Sequence, residues 1–546
     1  MWRFGASTRS SVWAIFGIVR SSCSNRRRDS DPSLVRTELQ PHVAWSFRLT
    51  RVAGRYAIGM AERHESVYDA YISPLTQRNA SREMQEIWSP RHRFSVWRRI
   101  WLAVAEAQSE AGLPVSREQV EAIRAHVNIS DEGIKRAFQH ETKLRHDVMA
   151  HVHSLADEAP QARPILHLGM TSQDVVCNAD LVMIKEALQL IEIKIARIID
   201  ALGTFAEKWA AIPCLGFTHF QPAQPTTVGR RAAQWGYDLS ICLTRIESNI
   251  HHLKLRGLKG ATGTQASFLN LVDNNAPKVD QMEASFIRKL GWFANLVHEL
   301  TSQTYPRVVD AFVVSDLAAT ASVIQKTCND IRLLSGRKEL DEPWGESQIG
   351  SSAMPYKQNP MRCERATGLC RFVMGLAADP LETASTQWLE RTLDDSSNRR
   401  IVLPESFLAL DGALDLLHSV VAGLVVHEHT TRANLMAELP FMAVETVLVA
   451  AVRKGRDRQE VHEALRKHSM AAAKRVKEMG LSNDLIERLH SEPLLSNVNL
   501  DELLNPSTYV GRAPEQVSLF LQQIVKSVRQ AYETRYSQLS TSGPKV

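Results

Sequence analysis

Leu181, Ile184, Leu188, Ile191, Ile195, Ile198, Leu202, Phe205 and Trp209 follow one another at alternating steps of three and four. This spacing puts all nine side chains on one seam of an α-helix packed in a bundle. Asn178 stands as the N-cap, and Pro213 lies just past the end. A helix of about 33 residues is about 50 Å long. That is too long for a small domain and predicts an elongated bundle. Phe407, Leu410, Leu414, Leu417, Val421 and Leu424 repeat the alternation after Pro404. Residues 310–334 are helix-forming, with small residues in the middle that permit close helix approach. No series of alternating β-rich runs is visible. These stripes are core packing and set architecture, not chemistry.

Proline and glycine divide the rest. Residues 60–171 read as shorter helices broken near Pro90, Pro114 and Pro160. Residues 172–426 carry the long helices. Residues 427–546 carry shorter helices broken at Pro440, Gly480, Pro493 and Pro506. The expected fold is therefore all-α, with three helical domains. Residues 1–59 stand apart: they hold ten Arg, no Lys and three acids, whereas the remaining chain is close to neutral at −2. This extension resembles a mitochondrial presequence or lies upstream of the working start at Met60. The expected location is cytoplasmic, or mitochondrial if the extension is a presequence. The near-neutral body offers no charge argument for nucleic acid or a membrane surface. The longest uninterrupted apolar run, Val12 to Val19, is far short of the roughly 20 residues that span a bilayer. Seven scattered cysteines without a CxxC fit a reducing compartment.

Five segments could carry chemistry. QIGSSAMPYKQNP, from Gln348 to Pro360, cannot be a regular helix, since it holds Gly350, Pro355 and Pro360. Its Ser351, Ser352, Lys357 and backbone N–H groups suit stabilisation of a developing oxyanion. In GFTHFQPAQPTT, His219 sits in a polar turn stiffened by Pro222 and Pro225, a rigid mount for a general acid. LRHDVMAHVH holds three histidines, but not at the i, i+4 spacing of a zinc pair; Arg145, His146 and Asp147 read better as a polar ligand-binding edge. MTSQD places Thr171 and Ser172 before the long helix, where hydroxyls and free N–H groups can hold an anion. ERTLDDSSNRR is a solvated charge run or an arginine grip on phosphate or carboxylate. No P-loop, dinucleotide fingerprint or zinc spacing occurs, so no nucleotide cofactor or metal is indicated.

Together these segments resemble the fumarase/aspartase superfamily, whose GSSxMPxKxNP signature is matched closely by GSSAMPYKQNP. RHDVMAHVH, GFTHFQPAQ, KGATGTQASF, SQTYPRVVD and ERTLDDSSNRR narrow the resemblance to adenylosuccinate lyases of the eukaryotic type, over about residues 66–535. The resemblance implies a homotetramer in which four subunits pool their long helices into a core of about 20 helices. Each active site would draw on three subunits. It also implies β-elimination of fumarate from adenylosuccinate and from the succinyl-carboxamide ribotide of purine synthesis (SAICAR), with no metal or organic cofactor. Ser351 falls at the family's base position, His219 at its acid position, and Lys357 near the substrate carboxylates. Thr171, Ser172, Gln303 and Asn359 match positions that hold the succinyl moiety. Arg78, Arg145, His146, Asp147, Arg365, Arg391, Ser396 and Arg400 match positions that hold the nucleotide and its phosphate. Two positions depart from the pattern: Asn79 stands where a tyrosine is usual, and Gln358 where an arginine is usual.

Overall fold

The computed structural model describes residues 69–539. The basic extension, residues 1–59, lies outside them. Helix α1 (Pro90–Glu110) starts where Ser89 accepts the His92 N–H at 3.2 Å, with Pro90 at the first position, where no N–H is required. Helices α2 (Asp131–Leu144) and α3 (Asp147–Glu158) follow. Helix α4 (Ser172–Lys208) then runs for 37 residues. Every seam residue from Leu181 to Phe205 is buried, and so are Val182, Met183, Ala187 and Ile199, so the helix is enclosed on most sides. Its start corrects the sequence reading. Thr171 is the N-cap, whereas Asn178 is buried within the helix and donates to the carbonyls of Asp174 (2.8 Å) and Gly257 (3.0 Å). The regular seam begins at Leu181, and the helix has already run more than two turns of mixed polar and apolar residues by then.

Strands β1 (Pro213–Thr218) and β2 (Gln221–Thr227) pair antiparallel and join α4 to α5 (Val228–His252). This hairpin replaces the plain turn expected for GFTHFQPAQPTT. Pro222 and Pro225 lack an N–H, which a strand tolerates only at an edge, and a two-stranded ribbon is all edge. Helices α6 (Val308–Gly336), α7 (Met361–Gly375) and α8 (Asp394–Ala422) complete the bundle. The four long helices close a ring: α4 packs on α5 and α8, and α6 packs on the same two, with α7 laid against α6 and α8. Helix α8 also departs from expectation. Pro404 lies inside it, not ahead of it, and the charged run Asp394–Arg400 forms its first two turns, while Leu424 lies past its end.

Helix α6 is long and apolar enough to cross a membrane by length and composition, with a mean hydropathy of 1.5 over 18 residues. The count of uninterrupted apolar residues passes over it because polar residues punctuate it. Val313, Leu317, Ala321, Ile324 and Ile331 are buried among the neighbouring helices, which accounts for its composition as a core helix. Beyond α9 (Glu428–Met442), which holds Pro440 in its last turn, a second apolar cluster forms around Val447, Val461, Leu465, Leu485 and Leu500. The fold is mostly helical; among the described residues the only other ribbon pairs Leu340–Asp341 with Val425–Val426.

Candidate active site

The sequence-predicted residues fall into three places. The first lies where α3, α4 and α8 begin. Arg145 closes α2 in the left-handed conformation, and His146 then caps α3. The His146 Nδ1 accepts the Met149 N–H at 3.3 Å, so the neutral ring carries its proton on Nε2, which lies 3.4 Å from the Ser172 hydroxyl. Asp147 accepts from Arg400 at 2.7 Å and from the Val148 N–H at 2.7 Å. Burial works against ionisation of Asp147, yet these donors prevail and hold its carboxyl below the usual range. Arg391 is held by Asp395 at 2.6 Å, one residue before Ser396. Gln303 joins the group through its backbone N–H to the Glu390 carbonyl (3.1 Å) and its side chain to the Ala261 carbonyl (3.0 Å).

Thr171 and Ser172 are held there by a residue the sequence reading did not single out. Asp174 is fully buried and collects the N–H groups of Thr171 (2.7 Å), Lys259 (2.9 Å) and Gly260 (3.1 Å), together with the Arg256 guanidinium. Arg256 in turn donates to the carbonyls of Gly260 (2.7 Å) and Ser302 (3.2 Å). One buried ion pair thus ties the start of α4 to the loop before Gln303. The carboxylate three residues after the N-cap threonine is a capping-box signal, legible in MTSQD. Its arginine, 82 residues away, has no local signal.

The second place joins the N-terminal segment to the signature loop. Arg78 and Asn79 end a short π-helical turn, Leu75–Asn79. Arg365 donates to the Asn79 side-chain carbonyl at 2.7 Å and to the Arg78 backbone carbonyl. Asn79, where the family usually has tyrosine, therefore orients an arginine. The turn rests on α8. Asp411 accepts the Ser81 N–H (2.6 Å) and hydroxyl (3.1 Å), and a Cβ on Gly412 would stand 2.7 Å from the Asn79 carbonyl oxygen. Residues 342–360 bear no helix. Within them the Ser351 hydroxyl oxygen accepts the N–H groups of Met354 (3.1 Å) and Ala353 (3.4 Å), and Asn359 donates to the Gly350 carbonyl at 2.7 Å. Two N–H dipoles aimed at one hydroxyl oxygen favour its deprotonated form. Glu342 anchors the loop's far end by accepting the N–H groups of Arg362 (3.0 Å) and Cys363 (2.6 Å). Lys357 and Gln358 are exposed on the loop.

The third place is the β1–β2 tip. His219 and Phe220 form its two-residue turn with φ of 54° and 56°, and both are exposed. Among the described residues no hydrogen bond or ion pair joins His219 to either other group.

A mostly helical bundle that presents a GSSAMPYKQNP loop defines a lyase of the fumarase/aspartase type. Residues 68–375 match the family model described as "Lyase", and residues 440–520 match "Adenylosuccinate lyase C-terminus". The chain is 46% identical over 469 residues to adenylosuccinate lyase of Saccharomyces cerevisiae, covering 85% of this chain and 97% of that one. It is 44% identical to the Schizosaccharomyces pombe adenylosuccinate lyase, covering 84% and 95%. Among solved structures, 3-carboxy-cis,cis-muconate lactonizing enzyme from Pseudomonas putida superimposes with a TM-score of 0.71 at 26% identity, covering 84% of this chain and 98% of that one. The chain belongs to the adenylosuccinate lyase family.

Proposed function

We propose that the protein eliminates fumarate from adenylosuccinate to give AMP, and from the succinyl-carboxamide ribotide (SAICAR) to give its carboxamide (AICAR). The observation that carries this reading is the Ser351 oxygen, set against two backbone N–H groups in the signature loop of a chain so similar to adenylosuccinate lyases. Ser351, as the alkoxide, takes the proton from the carbon next to a substrate carboxylate. The electron pair moves into that carboxylate and then forms the C=C bond of fumarate as the C–N bond breaks. His219 protonates the departing nitrogen, which belongs to the purine in adenylosuccinate and to the carboxamide in SAICAR. Lys357 supports the negative charge on the serine and on the carboxylate. Losing one such electrostatic partner costs about 3–4 kcal/mol of barrier. Thr171, Ser172, Gln303 and Asn359 hold the succinyl group, while the arginines hold the nucleotide.

The working unit is a homotetramer with shared sites. Two features support this. His219, Ser351 and Thr171 lie in separate places with no bonds between them. Tyr237, Ile241, Phe312, Leu333 and Phe372 leave large apolar side chains exposed on α5, α6 and α7. Following the absorbance of purified protein with each succinyl compound tests the reading. Loss of adenylosuccinate absorbance is the expected result. Turnover of argininosuccinate without turnover of adenylosuccinate overturns it, and so does inertness toward both.

A further inference from the structure

Helices α1, α2, α3, α4 and α8 line a cavity of about 230 Å³ whose wall includes Asp147, Arg391, Ser396 and Arg400. The polar groups on that wall do not balance. It carries five arginines against four carboxylates. Asp395 is shared by Arg307 (2.8 Å) and Arg391 (2.6 Å), Arg399 is shared by Asp180 (2.8 Å) and by Asp310 behind the wall (2.7 Å), and Asp147 pairs with Arg400 (2.7 Å). Arg93 is left over: its side chain makes no hydrogen bond or ion pair among the described residues, and Glu141, the fourth carboxylate, lies beyond ion-pair distance. The surplus is one-sided in hydrogen bonding too. Trp88 Nε1, Arg93 Nε, Trp97 Nε1 and Arg307 Nη1 are buried donors without acceptors, whereas no wall residue carries a buried acceptor without a donor. Buried donors without partners cost stability, and so does a half-buried cation that no carboxylate compensates. Such costs persist where a ligand relieves them.

We propose that Arg93 is a specificity-determining residue for the nucleotide, its guanidinium taking an oxygen of the substrate's phosphomonoester inside this cavity. This rests on the reading of Asp147, Arg391, Ser396 and Arg400 as the nucleotide side of the site. A phosphate dianion supplies acceptor oxygens for the orphan donors and a negative charge for Arg93, which has no carboxylate partner. Burial lowers the Arg93 pKa, and among the charges facing it those of Arg400 and Arg399 add to the lowering while Asp180 and Asp147 oppose it. An arriving dianion reverses that balance.

Arg93→Met and Arg93→Lys in the full-length protein test this, through thermal melting with and without inorganic phosphate or AMP and through steady-state kinetics. Arg93→Met should melt, without ligand, at or above the parent's temperature, because a half-buried charge without a partner has gone. Its stabilisation by phosphate and by AMP should be lost, and KM should rise about 10- to 100-fold, with the change falling in KM and not in kcat. Arg93→Lys should recover part of the phosphate response. Two results overturn the proposal. One is an unchanged phosphate response and KM in Arg93→Met. The other is a lower melting temperature without ligand and an intact phosphate response, which makes the residue structural. Phosphate and AMP binding are read without turnover, so failure of the proposed reaction is distinguishable from failure of this assignment.

Discussion

His151 shows how burial sets the chemistry of a single side chain. It is 2% exposed, its ring stacks on Phe94 with centroids 3.9 Å apart, and it meets the edge of Trp97. Burial, and then the Arg98 charge, push its pKa down to about 4 although Asp147 pulls the other way. The folded ring is therefore neutral where the unfolded ring titrates near its ordinary value of about 6.5. A depressed folded pKa gives stability that is complete above about 6.5 and is lost as pH falls toward about 4. Between pH 7.5 and 5.5 this ring should cost about 1 kcal/mol of unfolding free energy. Urea midpoints at the two pH values measure it, and His151→Phe should shrink the difference by about that amount, leaving the share of His298 and His418, whose pKa values burial also lowers to about 4. An equal slope in parent and variant would assign the acid sensitivity to other groups. The reading of LRHDVMAHVH as a ligand edge reached His146 and Asp147 but left His151 undistinguished, because only the packing of α1 on α3 makes it a core residue.

At the scale of elements, the mount beneath Arg78 and Asn79 is the clearest dependence of the site on the fold. Helix α8 brings Gly412 so close to the Asn79 carbonyl that no side chain fits between them. Gly412→Ala should push the π-helical turn off its seat at a cost of about 1–3 kcal/mol. The expected outcome is a lower melting temperature together with a raised KM for the succinyl substrate. A change in melting temperature with KM untouched would separate this turn from substrate binding. Elements also explain the sequence errors. Pro404 reads as a boundary, yet it is tolerated inside α8 because neighbouring helices hold the rest of that helix in place. The β1–β2 hairpin lacks Asn-Gly or any other usual turn pair. His219 and Phe220 instead take the left-handed conformation, at a cost of about 1 to 2 kcal/mol per residue. Backbone strain at a candidate acid suits a position whose geometry is enforced by its surroundings.

At the scale of the whole molecule, the decisive fact is separation. The proposed acid and base are 132 residues apart in sequence (351 − 219) and remain unjoined in the folded chain. Ser351→Ala and His219→Ala should each lower turnover by at least about 100-fold, with the assembly intact by sedimentation. Subunits of the two variants, mixed and reassembled, should recover activity because some sites then combine an intact Ser351 with an intact His219. Demonstrably mixed assemblies that stay inactive would count against shared sites.

What the sequence determined by itself was whatever local physics writes into neighbouring residues. The heptad seam of α4 follows from the 3.6-residue period, and the non-helical Ser351 loop follows from Gly350, Pro355 and Pro360. The candidate acid, base and anion-binding segments stand out as polar motifs in a helical chain. Only the tertiary structure decided which distant residues support them. Asp174 with Arg256 and Asp411 with Ser81 are contacts across 82 and 330 residues. The unpaired state of Arg93 depends on where five helices place every other charge around it. Such pairings have no period and no spacing along the chain, because they arise from how helices cross and not from how each one coils.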